Sequence, residues 1–574
     1  MIKKNLLLSL LPVLVLTFIV SCNTGNAFDD NSIAKDSVSI AAGEALFNKN
    51  CEGCHNFRQD GIGPQLSAIT TKLSTDWLTN FIKDPQKIIS SGDEHAKTLY
   101  AKYKIAMPSF ATLKDDEIKH IISFLNTNTD TSKIVKDDNN DIKDPIPAKI
   151  QKSSLVAGLQ LIAQIPASSD SGKTPLARIT QMIVQPTTHK LFVLDLRGKL
   201  YQLQQGKPQL YMDMQKLEPN FINEPGLATG FGSIAFHPDF IKNSLLYTTH
   251  TEHPGSAKAD FAYSDSIKVT LQWVLTEWKV DDINATTFSG KGRELLRINM
   301  VTGIHGMQEI SFDPLAKPGD ENYGLLYAGI GDGGCTENGY GFLAHNKKNL
   351  WGTIIRIDPA GNNSANGHYG IPKTNPFANI KEDAGEIYAM GFRNPHRTTW
   401  TASGQMLVSN VGQSNIESIN LIKAGNDYGW PVREGNFVIH TYGNIGKVYP
   451  LEANDSIDHI TYPVIEYDHD EGKAVSGGYE YLGSALPALK GKFLFGDIPS
   501  GRLLYTDVQD IKQGDFATIK EWNISLNGTS KTLKEICGND RVDLHFGRDS
   551  NGELYIMTKA DGKIYKLISA SESK

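Results

Sequence analysis

The chain has 574 residues, with 57 Lys and Arg against 64 Asp and Glu and a formal net charge of −7. That balance offers no basic face to a nucleic acid, and the length exceeds what one hydrophobic core sustains, so at least two domains and no nucleic-acid partner are expected. The 52 Gly and 21 Tyr lean toward turn-rich β structure.

The N-terminus reads MIKKNLLLSLLPVLVLTFIVSCNTG, with Lys3 and Lys4 ahead of an apolar run from Leu6 to Val20. A bilayer-spanning helix needs about 20 apolar residues, and this run is shorter and ends in small polar residues, so residues 1–21 read as a secretion signal. The sequence Ile19-Val20-Ser21-Cys22 resembles the lipobox of bacterial lipoproteins, which makes Cys22 the expected lipidated first residue of the mature chain. A simple cleaved signal and an N-terminal anchor helix are the alternatives. Each of the three exports the remainder, and the expected location is periplasmic or cell-envelope, as a membrane-anchored lipoprotein with residues 22–39 as a tether.

Residues 40–126 read as a small all-α domain. SIAAGEALFNKNC opens it, and LKDDEIKHIISFLNT closes it with Leu113, Ile118, Ile121, Ile122 and Leu125 largely on one helical face. Residues 127–154 are polar, charged and poor in aromatics, the composition of a linker. About 25 flexible residues would give a reach of roughly 27 Å, enough for one domain to touch the face of another.

From 155 to 570 the texture is short β runs between turns. A hairpin unit recurs from Ile179, Phe231, Met307, Gly391, Gly477 and Val542. Six copies predict an all-β six-bladed propeller, with a two-sheet sandwich as the strand-rich alternative.

The segment GEALFNKNCEGCHNFRQDGIGPQL places Cys51, Cys54 and His55 as a CxxCH pentapeptide. In an exported chain such a pair is a covalent haem attachment, a redox pair or a disulfide, and the adjacent histidine favours haem. Two thiols reach the two vinyl groups, His55 binds iron, and Met107 in KIAMPSF offers a thioether as second axial ligand, which raises the reduction potential. The segment resembles a class I cytochrome c, with Cys51 and Cys54 as thioether sites and one haem c.

The β region, over about 175–568, resembles the glucose/sorbosone dehydrogenase family, six-bladed propellers that include quinoproteins using pyrroloquinoline quinone and calcium. The resemblance is carried in order by SIAFHPDF at 233, GIHGMQEISFDP at 303, AGIGDGG at 328, GTIIRIDP at 352, GFRNPHR at 391, NVGQSNIESINLI at 410, NDYGWP at 426 and SGRLLY at 500. It implies His305 as the catalytic base, Asp332 as the carboxylate that orients it, and Arg393 with Asn394 at the cofactor. It also implies Gly412 and Gln413 as backbone carbonyl ligands of Ca²⁺. Neutral histidine suits proton abstraction from an alcohol near pH 7, and a guanidinium with a hard cation stabilises charge arriving on a quinone.

The chain departs from the family at two places. Ala228 and Thr229 stand where a cofactor-touching glutamine is expected, and His545 stands where relatives often carry arginine, for which Arg541 or Arg502 are candidate substitutes. Cys335 and Cys537 could pair in an exported protein, and their separation is not readable from sequence. The expected function is an exported quinohaemoprotein that oxidises an aldose or related alcohol and passes electrons through the haem to a respiratory acceptor. The alternative is an electron-transfer cytochrome fused to a non-catalytic propeller that binds a glycan or a protein.

Overall fold

The structure is a computed structural model that describes residues 33–52, 54–60, 63–103, 107–134, 140–169, 174–224, 228–452 and 459–572. The expected signal and Cys22 lie outside the described residues, as do Gly53, Gly61 and Ile62 of the haem segment. Among the described residues, no helix is long and apolar enough to cross a membrane.

The N-terminal domain is helical. Helix α1 (Ser37–Asn50) begins three residues ahead of the expected boundary because Asp36 caps it, accepting the Ser39 N–H at 2.9 Å. Helix α2 (Thr75–Lys83) is capped by Ser74, α3 (Pro85–Ser90) starts on proline, and α4 (Glu94–Tyr103) follows. Helix α5 (Asp115–Leu125) buries Ile118, Ile121, Ile122 and Leu125 of the face read from the sequence against α1 and α2, while Leu113 precedes the helix and is half-buried. Gly43 permits the α1–α5 crossing, since a Cβ there would stand 1.9 Å from the His120 carbonyl oxygen.

The C-terminal domain is mostly β and propeller-like. Four separate antiparallel sheets run in chain order. The first holds Ile179–Val184, Leu191–Asp195, Lys199–Gln204 and Lys207–Asp213; the second holds Phe231–Phe236, Leu245–Glu252, Leu271–Val280 and Gly290–Met300. The third holds Met307–Phe312, Leu326–Ile330, Thr353–Ile357 and Ile387–Met390; the fourth holds Pro395–Trp400, Met406–Asn410, Ile416–Leu421 and Ile465–Asp468. Many strands are buried along their whole length because neighbouring sheets cover both faces, as where Phe192, Tyr211, Phe231, Phe236 and Trp278 fill one seam.

The expected six blades are not six separate sheets. The rest of the domain is one nine-stranded sheet, together with a two-stranded hairpin of Arg433–Glu434 and Phe437–Val438. The cause is β1 (Gln151–Gln164), which pairs parallel with Lys520–Leu526 on one edge and antiparallel with Lys563–Glu572 on the other. Its backbone groups are thereby satisfied on both sides, and two four-stranded runs fuse into one ladder.

β1 also corrects the linker, because residues 151–154 belong to this strand. The segment ahead of it is pinned as well: Asp141 to Lys447 at 3.0 Å, the Ile142 N–H to the Val448 carbonyl at 2.8 Å, and the Ile146 N–H to Asp468 at 3.2 Å. The long flexible reach expected from composition is therefore absent over residues 141–154.

The first strands of the four separate sheets meet through polar side chains. Gln181 donates to Glu309 at 3.2 Å and accepts from Ser233 at 3.1 Å, while Arg397 reaches Glu309 at 3.1 Å and the Thr180 carbonyl at 2.7 Å. This network marks the common axis around which the sheets converge.

Candidate functional site

His305 lies in the turn between Gly290–Met300 and Met307–Phe312, at φ +52°, a left-handed conformation that a non-glycine residue adopts at a cost. Its Nδ1 is 2.7 Å from Asp332 Oδ1. With that nitrogen protonated and donating, Nε2 is left as a bare base. Asp332 follows Leu326–Ile330 and is fully buried; its Oδ1 also accepts the Gly334 N–H at 2.9 Å and its Oδ2 accepts the Trp430 indole N–H at 3.1 Å. Burial works to raise this carboxyl, but the hydrogen bond and charge of His305, the Arg393 charge and the Gly334 N–H outweigh it and hold the carboxyl below its usual range. Burial and the Arg393 charge push the His305 imidazole below its ordinary value, with Asp332 and Glu337 opposing.

Arg393 belongs to the same constellation. Its carbonyl accepts the Asp332 N–H at 2.8 Å, and its guanidinium lies 5.8 Å from the Trp430 ring centroid. Nε donates to Gln413 Oε1 at 2.8 Å, Nη2 to Glu337 Oε1 at 2.8 Å and Nη1 to the Val411 carbonyl at 3.4 Å. Among the described residues, two of its five N–H donors are left without an acceptor. The structure thus brings His305, Asp332 and Arg393 together, adding Glu337, Gln413 and Trp430. Trp430 stood inside a quoted motif, but nothing in the sequence tied its indole to Asp332. Glu337 carried no local signal at all, because the Arg393 it meets is 56 residues away.

Around Gly412 and Gln413 the loop is organised by carboxylates. Glu434 Oε1 gathers the N–H groups of Gln413, Ser414, Asn415 and Ile416 at 2.7–3.0 Å, and Glu417 accepts from Gly412 at 3.2 Å. Among the described residues no hydrogen bond is made to the buried carbonyls of Gly412 or Gln413. Bare, buried carbonyl oxygens are the donor type a hard cation takes. Glu218, His250 and Glu252 also place ligand atoms within 4.8 Å of one another, but Arg297 already neutralises Glu252 at 2.8 Å.

The remaining expected cofactor contacts divide. Asn394 is 9% exposed, receives no partner at Oδ1 among the described residues, and donates its N–H to Asn410 at 2.9 Å. Arg541 pairs with Asp543 at 2.8 Å. Arg502 is held by Glu471 and Glu521, both at 2.7 Å, and among the described residues shares no hydrogen-bond partner with the His305 constellation. Both nitrogens of buried His545 lack hydrogen-bond partners among the described residues, and the ring of buried His396 meets the Ser409 backbone and keeps its other nitrogen unpaired. Buried polar atoms are normally paired, so these orphans beside a cationic surround fit a planar ligand with anionic groups, as a quinone with carboxylates is. Cys335 and Cys537 are free thiols, in Gly334-Cys335 of the third sheet's loop and at the end of the short helix Leu533–Cys537.

In the helical domain the haem peptide turns back after α1, with the Cys54 and His55 N–H groups donating to the Cys51 carbonyl at 3.0 Å. His55 Nδ1 lies 2.8 Å from the Pro64 carbonyl, which leaves Nε2 for a metal. Gly63 is required beside it, since a Cβ would stand 2.4 Å from the ring. Cys51 sits at an apolar cluster of Phe47, Ile121 and Leu125, and Met107 at a neighbouring one of Leu78, Ile82, Ile118 and Ile122; the two meet at Ile69 and Leu113. Two free thiols, one oriented imidazole and a thioether within apolar walls fit a covalently held haem.

This haem peptide docks on the propeller-like domain near the same constellation. Lys49 pairs with Glu224 at 2.8 Å, Glu44 with Lys268 at 2.6 Å, and Gln59 accepts the Ile445 N–H at 3.3 Å. Arg58 packs on Gly339, two residues beyond Glu337, and the charges of Arg541 and Glu337 both act on Cys54.

The comparisons with known proteins agree with this division. The family model for cytochrome c matches residues 40–129, and the model for glucose/sorbosone dehydrogenase matches residues 178–566. HIPL1 protein of Arabidopsis thaliana is 28% identical over 386 residues, covering 60% of this chain and 53% of its own length. Quinoprotein glucose dehydrogenase B of Acinetobacter calcoaceticus is 25% identical over 256 residues, covering 42% of this chain and 47% of its own. The chain thus spans about half the length of these relatives. The crystal structure of the soluble aldose sugar dehydrogenase of Escherichia coli matches with a TM-score of 0.50 at 16% identity, covering 73% of this chain and 100% of its own, which shows a shared fold. With more than half of its length matched, the chain belongs to the glucose/sorbosone dehydrogenase family and carries a cytochrome c domain ahead of that region.

Proposed function

We propose that the protein is an exported, lipid-anchored quinohaemoprotein that oxidises an aldose or related alcohol and delivers the electrons through its own c-type haem to a respiratory acceptor. The observation that carries this reading is Glu337, whose carboxylate holds Arg393 in the His305 constellation while its charge acts on Cys54 of the haem peptide. Electron source and electron carrier are then neighbours in one chain, and tethering keeps their effective concentration on the order of millimolar.

His305 Nε2 accepts the substrate hydroxyl proton, and Asp332 keeps Nδ1 protonated and stabilises the imidazolium that forms. Pyrroloquinoline quinone, when bound, supplies the two-electron hydride acceptor. Arg393, Asn394, His396 and His545 are the residues that would hold it, and the carbonyls of Gly412 and Gln413 would take Ca²⁺. Trp430 fixes Asp332 from the other side, so the acid–base pair is set before substrate arrives. Lipidation of Cys22 would anchor the molecule, with α1 and the haem peptide following close to the membrane surface.

The second reading is a cytochrome fused to a propeller that binds a glycan or a protein without oxidising it. Buried Ala228 and Thr229 favour it, because they give no amide where a cofactor-contacting glutamine is expected. The deciding experiment adds pyrroloquinoline quinone and Ca²⁺ to the purified full chain, offers an aldose panel and follows the haem absorption bands. Sugar-dependent haem reduction that needs the quinone and is lost in His305→Ala supports the enzyme. Haem that dithionite reduces but no sugar does, whatever the quinone concentration, supports the binding module.

A further inference from the structure

His396 and His545 open two strands that converge on the axis, Pro395–Trp400 and Leu544–Arg548, and are 5% and 3% exposed. Both ring nitrogens of His545 are without a hydrogen bond among the described residues, and the His396 ring, which meets the Ser409 backbone, keeps one nitrogen to spare, so unmet polar capacity gathers here, since each neutral imidazole carries one donor and one acceptor. Lys559 adjoins them. It follows Leu554–Thr558, its N–H donates to the Asp543 carbonyl at 3.2 Å, and its charge acts on both imidazoles.

The surrounding charges isolate Lys559. The groups that face it are Asp543, Arg397, Arg178 and Arg541. Arg397 is matched by Glu309 at 3.1 Å, Arg541 by Asp543 at 2.8 Å, and Arg178 by the charge of Asp195. The Lys559 ammonium makes no hydrogen bond or ion pair with any described residue. A half-buried cation without a counterion among the described residues, near the unpartnered His545 ring and the His396 ring with one nitrogen to spare, is a site built for an anion.

We propose that Lys559, with His396 and His545, forms an anion subsite that receives a carboxylate of the bound quinone, Lys559 giving the charge and the imidazoles the hydrogen bonds. This rests on the quinone reading above, and it supplies on the neighbouring strand the cation missing at position 545. Burial, with Asp543 opposing and Arg397, Arg178 and Arg541 adding, pushes Lys559 down to about 8. The imidazoles stay neutral there, because burial holds both well below their ordinary value. The anion is bound by the protonated amine, so affinity is full below pH 8 and falls as pH rises through it.

The test is equilibrium dialysis of the haem-loaded full chain against pyrroloquinoline quinone, and separately against pyridine-2,6-dicarboxylate, from pH 6.5 to 9.5. Circular dichroism of each variant confirms the fold. Lys559→Met is expected to weaken quinone binding about 10- to 100-fold at pH 7 and to abolish the fall above pH 8. Lys559→Arg is expected to keep the affinity and lose the fall. Equal binding by wild type and folded Lys559→Met, with the same pH profile, overturns the subsite and leaves the quinone reading intact. Lysine-dependent binding of the dicarboxylate without quinone binding keeps the anion subsite and overturns the quinone reading. Binding of neither ligand by wild type overturns both.

Discussion

Glu337 Oε1 accepts a hydrogen bond from Arg393 Nη2 at 2.8 Å, and the charge of this carboxylate also acts on Glu52 and Cys54 of the haem peptide. The same residue therefore sets the charge of the candidate site and borders the docked cytochrome. Glu337→Gln keeps the hydrogen-bond acceptor and removes the charge. Sugar-dependent haem reduction is expected to slow by about 10-fold, the scale of one weakened charged hydrogen bond. Stopped-flow spectroscopy of the haem bands checks it, and dithionite reduction of the haem should be unchanged.

His305→Ala removes the base. Haem reduction by sugar is expected to fall by about 10²–10⁴, the usual contribution of a positioned general base, with the haem spectrum unaltered. Asp332→Asn should fall by a similar factor although the side chain is nearly isosteric, because an amide that donates to Nδ1 turns the bare nitrogen away from the substrate. Trp430→Phe leaves Asp332 Oδ2 without its 3.1 Å partner and should cost less than either.

The acid limb of the rate profile follows from the His305 shift. Burial and the Arg393 charge lower the imidazole, so its neutral, proton-accepting form persists below pH 6.5, and the rate should hold until the pH drops through that lowered value. Arg393→Gln removes one of the two lowering causes, so the limb should move upward in pH. Steady-state rates between pH 4.5 and 8 locate it, and a limb that stays in place would remove Arg393 from the electrostatics of the base.

Met107→Ala should lower the reduction potential of the haem and alter its oxidised spectrum, since a thioether opposite histidine favours Fe(II). Potentiometric titration measures this. A potential equal to that of the parent chain would mean that another group completes the iron.

Ile118 is fully buried in α5, in the cluster that also carries Met107. Ile118→Ala should destabilise the helical domain by about 2–5 kcal/mol. Chemical denaturation followed at the haem bands should report it, while the far-UV β signal of the larger domain unfolds at its own midpoint.

Docking of the two domains uses the exposed pairs Lys49 with Glu224 and Glu44 with Lys268. Contacts of this kind are weak and screened by salt, so raising the ionic strength from about 0.05 to 0.5 M should slow internal electron transfer. Lys49→Glu with Lys268→Glu should do so at low salt.

The local chemistry of this protein was written in contiguous residues. CxxCH, the apolar face of α5 and the hairpin rhythm of the β region are short-range patterns, and the structure places Cys51, Cys54 and His55 on one turn and Ile118, Ile121, Ile122 and Leu125 on one buried face because such spacing maps directly onto backbone geometry. His305 and Asp332 were recognisable by their motifs, but their 2.7 Å contact was not, since it joins two strand ends 27 residues apart. Glu337, Trp430 and Lys559 were silent for the same reason: each acts on a partner brought near only by the convergence of sheets. The count of separate sheets was likewise decided in three dimensions, by β1 pairing on both edges and fusing two runs of strands. Residue type fixes what a side chain can donate, accept or carry; which partner it meets, and in what dielectric, is set by the closing of the fold.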